Sequence, residues 1–227
     1  MRPILAFACV FVIQAAGLAQ TSTGRVVRAT GQATMSVKPD QVKINVGVVT
    51  QAETAQAAAS QNATQVEAVL NQLRPVLGAG SDLQTVSYSI TPNYRYPQGQ
   101  AAVLTGYTAT NMVQVTTSDL SIVGKVIDTA SQAGANSVQS LRFGIKDEDP
   151  MRSQVLGQAA KQARSHAEAI AGGLGARIGG VITAQEGFAV SPLTDNRSVA
   201  AASPTTPIET GLVTVSATVT VDVELIQ

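Results

Sequence analysis

The chain of 227 residues has one cysteine, one histidine and no tryptophan, and each shortage removes a class of function. Cys9 lies inside the opening segment MRPILAFACVFVIQAAGLAQ, so a chain processed after that segment carries no thiol. Thiol-based peroxide reduction and cysteine-ligated metal are then excluded, and the fold must hold without disulfides. A lone His166 cannot build a multi-histidine metal centre, and no Gly-x-Ser-x-Gly elbow accompanies it for a serine hydrolase. Aromatics are only 4% of the chain, so the core must come from valine, isoleucine, leucine and alanine. Basic and acidic residues balance at 15 each with no polybasic block, which argues against nucleic acid as a partner.

What is present begins with that opening segment. Arg2 precedes an apolar run from Ile4 to about Ala16, and Gly17-Leu18-Ala19 has the small-x-small form of a signal-peptidase site. The run falls short of the ~20 apolar residues that span a bilayer. Residues 1–19 therefore read as a signal peptide cleaved after Ala19, leaving no stable transmembrane span. The expected destination is the periplasm, with secretion or surface display as the other outcomes of export.

Periodicity divides the remainder. Val27, Ala29, Gly31, Ala33, Met35 and Val37 alternate with polar residues, Lys38-Pro39-Asp40 supplies a turn, and Val42, Ile44, Val46 and Val48 alternate again. This predicts a β-hairpin and rules out a phosphate loop, because no helix follows Gly31. Ala59, Ala63, Val66, Leu70, Leu73 and Leu77 predict an amphipathic helix, ended by Pro75 near Arg74. Val86, Tyr88 and Ile90 lead into a second hairpin with a long polar tip at Pro97-Gln98-Gly99-Gln100, returning through Tyr107 to Val115. Ser118 or Asp119 caps a helix stopped by Gly134, and residues 137–145 form a short strand. Asp149-Pro150 starts a third helix with the stripe Leu156, Ala159, Ala163, Ala167, Ile170 and Leu174. Residues 181–186 are a strand, 188–208 read as a mobile loop, and 212–226 form a long strand returning to the sheet. The order β-β-α-β-β-α-β-α-β-β predicts an α+β fold: a two-layer antiparallel or mixed sheet, about three helices on one face, and long β-hairpins. One domain over 24–226 is expected, with a possible subdivision near 118.

Candidate chemistry is sparse. His166 reads as a surface or boundary residue, and Lys146-Asp147-Glu148-Asp149 as an acidic helix start rather than a metal site. Cross-strand packing accounts for Tyr88 and Tyr107, whereas Tyr94-Arg95-Tyr96 near the hairpin tip has the residue types of an interface anchor. No catalytic residue, cofactor or metal site is expected. A hydrolase rests on nothing but scattered serines and acids. A small-ligand module, with residues 191–207 as a lid, is the alternative to a protein that acts through assembly.

Several stretches in order carry a family resemblance: Gly31 to Asp40 (GQATMSVKPD), Leu83 to Tyr96 (LQTVSYSITPNYRY), Gly106 to Leu120 (GYTATNMVQVTTSDL), Ile127 to Asp147, and Ala159 to Glu186 with its ARSHAEAIAGGLGARIGG core. Together they resemble the SIMPL-domain family, exported bacterial proteins known as periplasmic immunogenic or oxidative-stress-defence proteins. The resemblance implies a two-layer α/β domain, ring-like or channel-like homo-oligomers in some members, and a link to oxidative-stress defence without a defined reaction. It supplies no catalytic residues. The expectation is a non-enzymatic envelope protein acting through self-assembly or an envelope protein partner.

Overall fold

A computed structural model describes residues 24–192, 206 and 208–227. The order of elements follows the periodicity: β1 (Val26–Val37), β2 (Gln41–Ala52), α1 (Ala55–Leu73), β3 (Asp82–Arg95), β4 (Val103–Thr117), a 3-10 turn (Leu120–Ile122) with α2 (Val123–Gln132), β5 (Ser137–Gly144), α3 (Asp149–Gly173), β6 (Arg177–Pro192) and β7 (Val213–Ile226). The fold is α+β, as expected, with its strands divided between two sheets. One holds β1-β7-β6 and the other β3-β4-β2-β5, and every pairing is antiparallel.

The first expected hairpin does not form. β1 pairs along its full length with β7, Val26 opposite Glu224 through Val37 opposite Val213, while β2 pairs with β4 and β5. Lys38-Pro39-Asp40 is a crossing between sheets, anchored where the Asp40 Oδ1 accepts from the Lys146 amide at 2.7 Å. Alternation fixes which face a strand buries but not which strand it joins. The other hairpin, β3–β4, forms as expected.

Two modules of the same topology emerge. In β2-α1-β3-β4 the first strand pairs with the last, the third element takes the edge, and α1 packs mainly on β2 and β4. In β1-α3-β6-β7 the first strand again pairs with the last, β6 takes the edge, and α3 packs mainly on β1 and β7. The first module is inserted, with α2 and β5, between β1 and α3 of the second. Each has its own core: Val42, Ile44, Val46, Val48, Val66, Val69, Leu73, Val113 and Val115 in one, Val155, Ala159, Ala163, Ala167 and the odd residues of β7 in the other. The change of sheet comes at the Pro39 crossing and after β5, not near residue 118.

Helix faces differ in detail from the periodic reading. In α1 the buried set is Ala58, Asn62, Val66, Val69 and Leu73, so Ala59 and Ala63 turn away from the sheet. Asn62 takes the position of an apolar residue: its Nδ2 donates to Val48 O and Ala109 O at 2.8 and 3.2 Å, which offsets part of the loss of water, while its Oδ1 is buried with no partner among the described residues. In α3 the buried residues are Val155, Ala159, Ala163, Ala167 and Ala171, a strict four-residue ladder, and Ile170 and Leu174 stand exposed. That ladder is small because the helix lies almost on the strand: a Cβ at Gly31 would fall 2.1 Å from Ala159 O and 2.3 Å from Ala163 N. Gly31 is the contact point that lets α3 seat.

Pro75 and Gly134 end their helices as expected, with α1 stopping at Leu73 and Gly134 at φ 109°. The start of α3 differs slightly from the expected cap. Asp149 is already helical, and the Asp147 carboxylate accepts its amide at 3.2 Å. The expected loop over 188–208 is also corrected at its beginning, since Phe188–Pro192 continue β6 and pair with Ala217–Val213. The rest of that stretch, apart from 206 and 208, and the cleavage at Ala19 lie outside the described residues.

Candidate functional site

The β3–β4 arm is where the sequence placed an interface, and its geometry comes from a helix seated over β2 and β4 and not over the edge strand. Register carries the core face across three strands: Val48 opposite Asn111 opposite Tyr88, then Thr50 opposite Ala109 opposite Ile90, then Ala52 opposite Tyr107 opposite Pro92. α1 covers this face over β2 and β4, where Val48 and Ala109 are buried, and leaves β3 largely uncovered. Tyr88, Ile90 and Tyr94 are 53%, 37% and 50% exposed, and Leu104, opposite Tyr94, is 45% exposed. The result is an apolar stripe on an edge strand whose outward N–H and C=O groups have no strand partner among the described residues.

The other face of the arm is polar, with Ser87, Ser89, Thr91 and Asn93 alternating against the stripe. Asn93 locks the two strands there. Its Nδ2 donates to Thr108 Oγ1 at 2.8 Å, and Thr105 Oγ1 donates to Asn93 O at 3.0 Å. These bonds tie the strands together beside a second irregularity, where Asn93 opposes Gly106 and Tyr94 opposes Leu104, and pairing continues past it to Arg95 opposite Val103.

Of the three residues singled out at the tip, Tyr94 joins the stripe and Arg95 falls on the opposite face of β3. Tyr96, 75% exposed, follows the strand end. Tyr88 and Tyr107 are not cross-strand partners; their opposites are Asn111 and Pro92. Sequence reasoning missed that Ile90 and Leu104 belong to the same surface. The signal for it was the continued alternation past the point where α1 could reach. A bulge at Val86 hides the phase, because Leu83 and Thr85 face the core before it and Tyr88 and Ile90 after it.

His166 is exposed on α3, and its Nδ1 lies 2.8 Å from Thr30 O. A carbonyl can only accept, so this nitrogen carries the proton. One turn away, Gln162 Oε1 accepts from the Gln32 amide at 2.6 Å. The two side chains close the outer edge of β1 as a neighbouring strand would. That work accounts for the histidine without chemistry. Across β1 and β7, Arg28 donates to both oxygens of Asp222 at 2.7 and 2.9 Å, and Thr183 adds a third bond at 2.7 Å. These bonds, Arg28's first, hold the Asp222 carboxyl down at a pKa of about 2, and the guanidinium is raised in return. The group is an anchor between three strands. Among the described residues no cluster of three or more His, Cys, Asp or Glu side chains is placed to hold a metal ion.

Residues 27–223 match the SIMPL family, described as a protein of unknown function (DUF541). The chain belongs to that family. Among its relatives is the 26 kDa periplasmic immunogenic protein of Brucella melitensis, 27% identical over 164 residues, 70% of this chain and 66% of the relative. The uncharacterized protein YggE of Edwardsiella ictaluri is 28% identical over 163 residues, 72% of this chain and 68% of the relative. YggE of Escherichia coli K12 is 26% identical over 151 residues, 66% and 61% of the two chains. The match thus spans just under two thirds of the Brucella relative. Among the described residues no helix is long and apolar enough to cross a membrane, which leaves strand-built spans unaddressed.

Proposed function

We propose that this SIMPL protein is an exported, non-enzymatic envelope protein that works by self-association through the β3–β4 arm. The observation that carries the reading is the stripe Tyr88, Ile90 and Tyr94 on the edge strand β3 with Leu104 beside it on β4, four large side chains left half-exposed. Such a surface costs free energy in water at roughly 25 cal/mol per Å² of apolar area, and a second copy covers it best because its own stripe is equally apolar. Pairing of edge strands adds main-chain hydrogen bonds to that burial. Export follows from the opening segment and agrees with the word periplasmic in the name of the Brucella relative. A role in oxidative-stress defence, which the family resemblance implies, is indirect in this reading, since a chain beginning at Gln20 has no thiol to oxidise.

The test is the mass in solution of the chain from Gln20, by light scattering after size exclusion across a concentration series. The reading expects a discrete assembly of several chains, reduced in size by Tyr88→Ala with Tyr94→Ala while the melting temperature of the dissociated chain holds. A monomer at every concentration overturns it. Peroxide consumption with turnover by the purified chain overturns the non-enzymatic part.

A further inference from the structure

On the side of the four-stranded sheet away from α1, two cations stand directly opposite each other. Lys43 on β2 pairs in register with Arg142 on β5, and the next row places Gln114, Asn45 and Ser140 side by side. Together with Gln139 these residues line an open trough of about 390 Å³. Like charges directly opposite across a strand pair destabilise a sheet. Neither cation makes an ion pair among the described residues. In the same row, Asp82 stands beyond Thr116, two strands from Lys43. The lining has no apolar side chain at all, whereas ordinary small-molecule sites of ~300–1,000 Å³ are mostly apolar.

We propose that this trough binds a small oxyanion, a carboxylate or phosphate, carried on a hydroxylated, sugar-like body. Arg142 offers a planar fork and Lys43 a point charge to one anionic group, and an anion between them converts a repulsion into two attractions. Next to them, Gln114 Nε2 donates to Asn45 Oδ1 at 3.0 Å, which fixes both amide planes. That bond leaves the Asn45 NH2 and the Gln114 carbonyl oxygen without side-chain partners among the described residues, one donor and one acceptor facing the same space. The Ser140 hydroxyl and the Gln139 amide extend the set. Paired donors and acceptors beside an anion site match vicinal hydroxyls beside a carboxylate or phosphate. A β-bulge at Asn45/Val46 opposite Gln139 widens the row where the body of the ligand would lie.

Isothermal titration of the chain from Gln20 with glucuronate, glucose 6-phosphate and uncharged glucose tests this at low ionic strength. Saturable binding of at least one anionic sugar and none of glucose is expected. Lys43→Gln and Arg142→Gln should each weaken that binding about tenfold to a hundredfold, as loss of a charged hydrogen bond does. Both positions are exposed, so the variants should melt no lower than the parent, and relief of the like-charge contact should raise the melting point slightly. Failure of every probe to saturate at millimolar concentration overturns the proposal. Binding that survives both substitutions overturns it equally.

Discussion

Replacing Gly31 with alanine gives the sharpest test of how the three-stranded sheet is held. The added Cβ would lie 2.1 Å from Ala159 O and 2.3 Å from Ala163 N, both backbone atoms of α3 that cannot rotate aside. Carbon atoms pack comfortably at about 3.5 Å, so the helix must retreat by roughly 1 Å, a gap that forfeits a quarter to a half of the dispersion attraction across it. The side chains drawn away from the sheet by that retreat are Val155, Ala159, Ala163 and Ala167, all fully buried. Overpacking of this kind costs about 3 kcal/mol, and for a chain of this size that is a fall of about 6–12 °C in melting temperature. Gly187 supplies the control. It lies in β6 of the same sheet, and a Cβ there would touch nothing nearer than Thr218 at 4.0 Å. Gly187→Ala should raise stability by up to about 1 kcal/mol, because alanine loses less backbone freedom on folding. Thermal melts of the two variants followed by circular dichroism decide the matter. A Gly31→Ala protein that melts within about 2 °C of Gly187→Ala would refute close seating of α3 on β1.

Other perturbations separate the remaining interactions. Gly47→Ala should fall between those two, since its Cβ would meet the end of the Met112 side chain, which can swing, and next Ser137 Cβ at 3.2 Å; urea melts rank the three. Asn62→Ala should destabilise by about 2 kcal/mol by removing the amide that serves Val48 O and Ala109 O, read from the urea midpoint at unchanged slope. Asp222, held at a pKa of about 2, contributes stability that is complete above the ordinary aspartate value of about 4 and is lost as pH falls toward 2. Asp222→Asn should therefore flatten that part of the stability-versus-pH curve, and an unchanged acid slope would contradict the assigned anchor.

Element types and order were legible because each segment keeps one period for long enough. The odd positions of β7 are apolar from Val213 to Leu225, and no helix period fits them. Partnership was not legible. Nothing local to β1 says that it joins β7, nearly two hundred residues away, instead of β2 beyond Pro39. Equally hidden was the use of Asn62 as a core residue, since its burial depends on two carbonyls from different strands. Ile170 and Leu174 looked like core because they are large, yet the close approach at Gly31 admits only the alanine ladder beside them. At the arm, tyrosine and arginine drew notice by type, while Ile90 and Leu104 needed the register to join them. Lys43 and Arg142 are 99 positions apart, and only the β2–β5 pairing makes them neighbours.

Amide hydrogen exchange along β3, measured on the chain from Gln20 at low and high protein concentration, tests self-association through the arm most directly. Self-association predicts that the amides of residues 86–95 that point away from β4 exchange rapidly when dilute and become protected as concentration rises, while those bonded to β4 and the amides of β2, already central in its sheet, stay unchanged. Exchange along β3 that is the same at every concentration, with the arm open throughout, would contradict it.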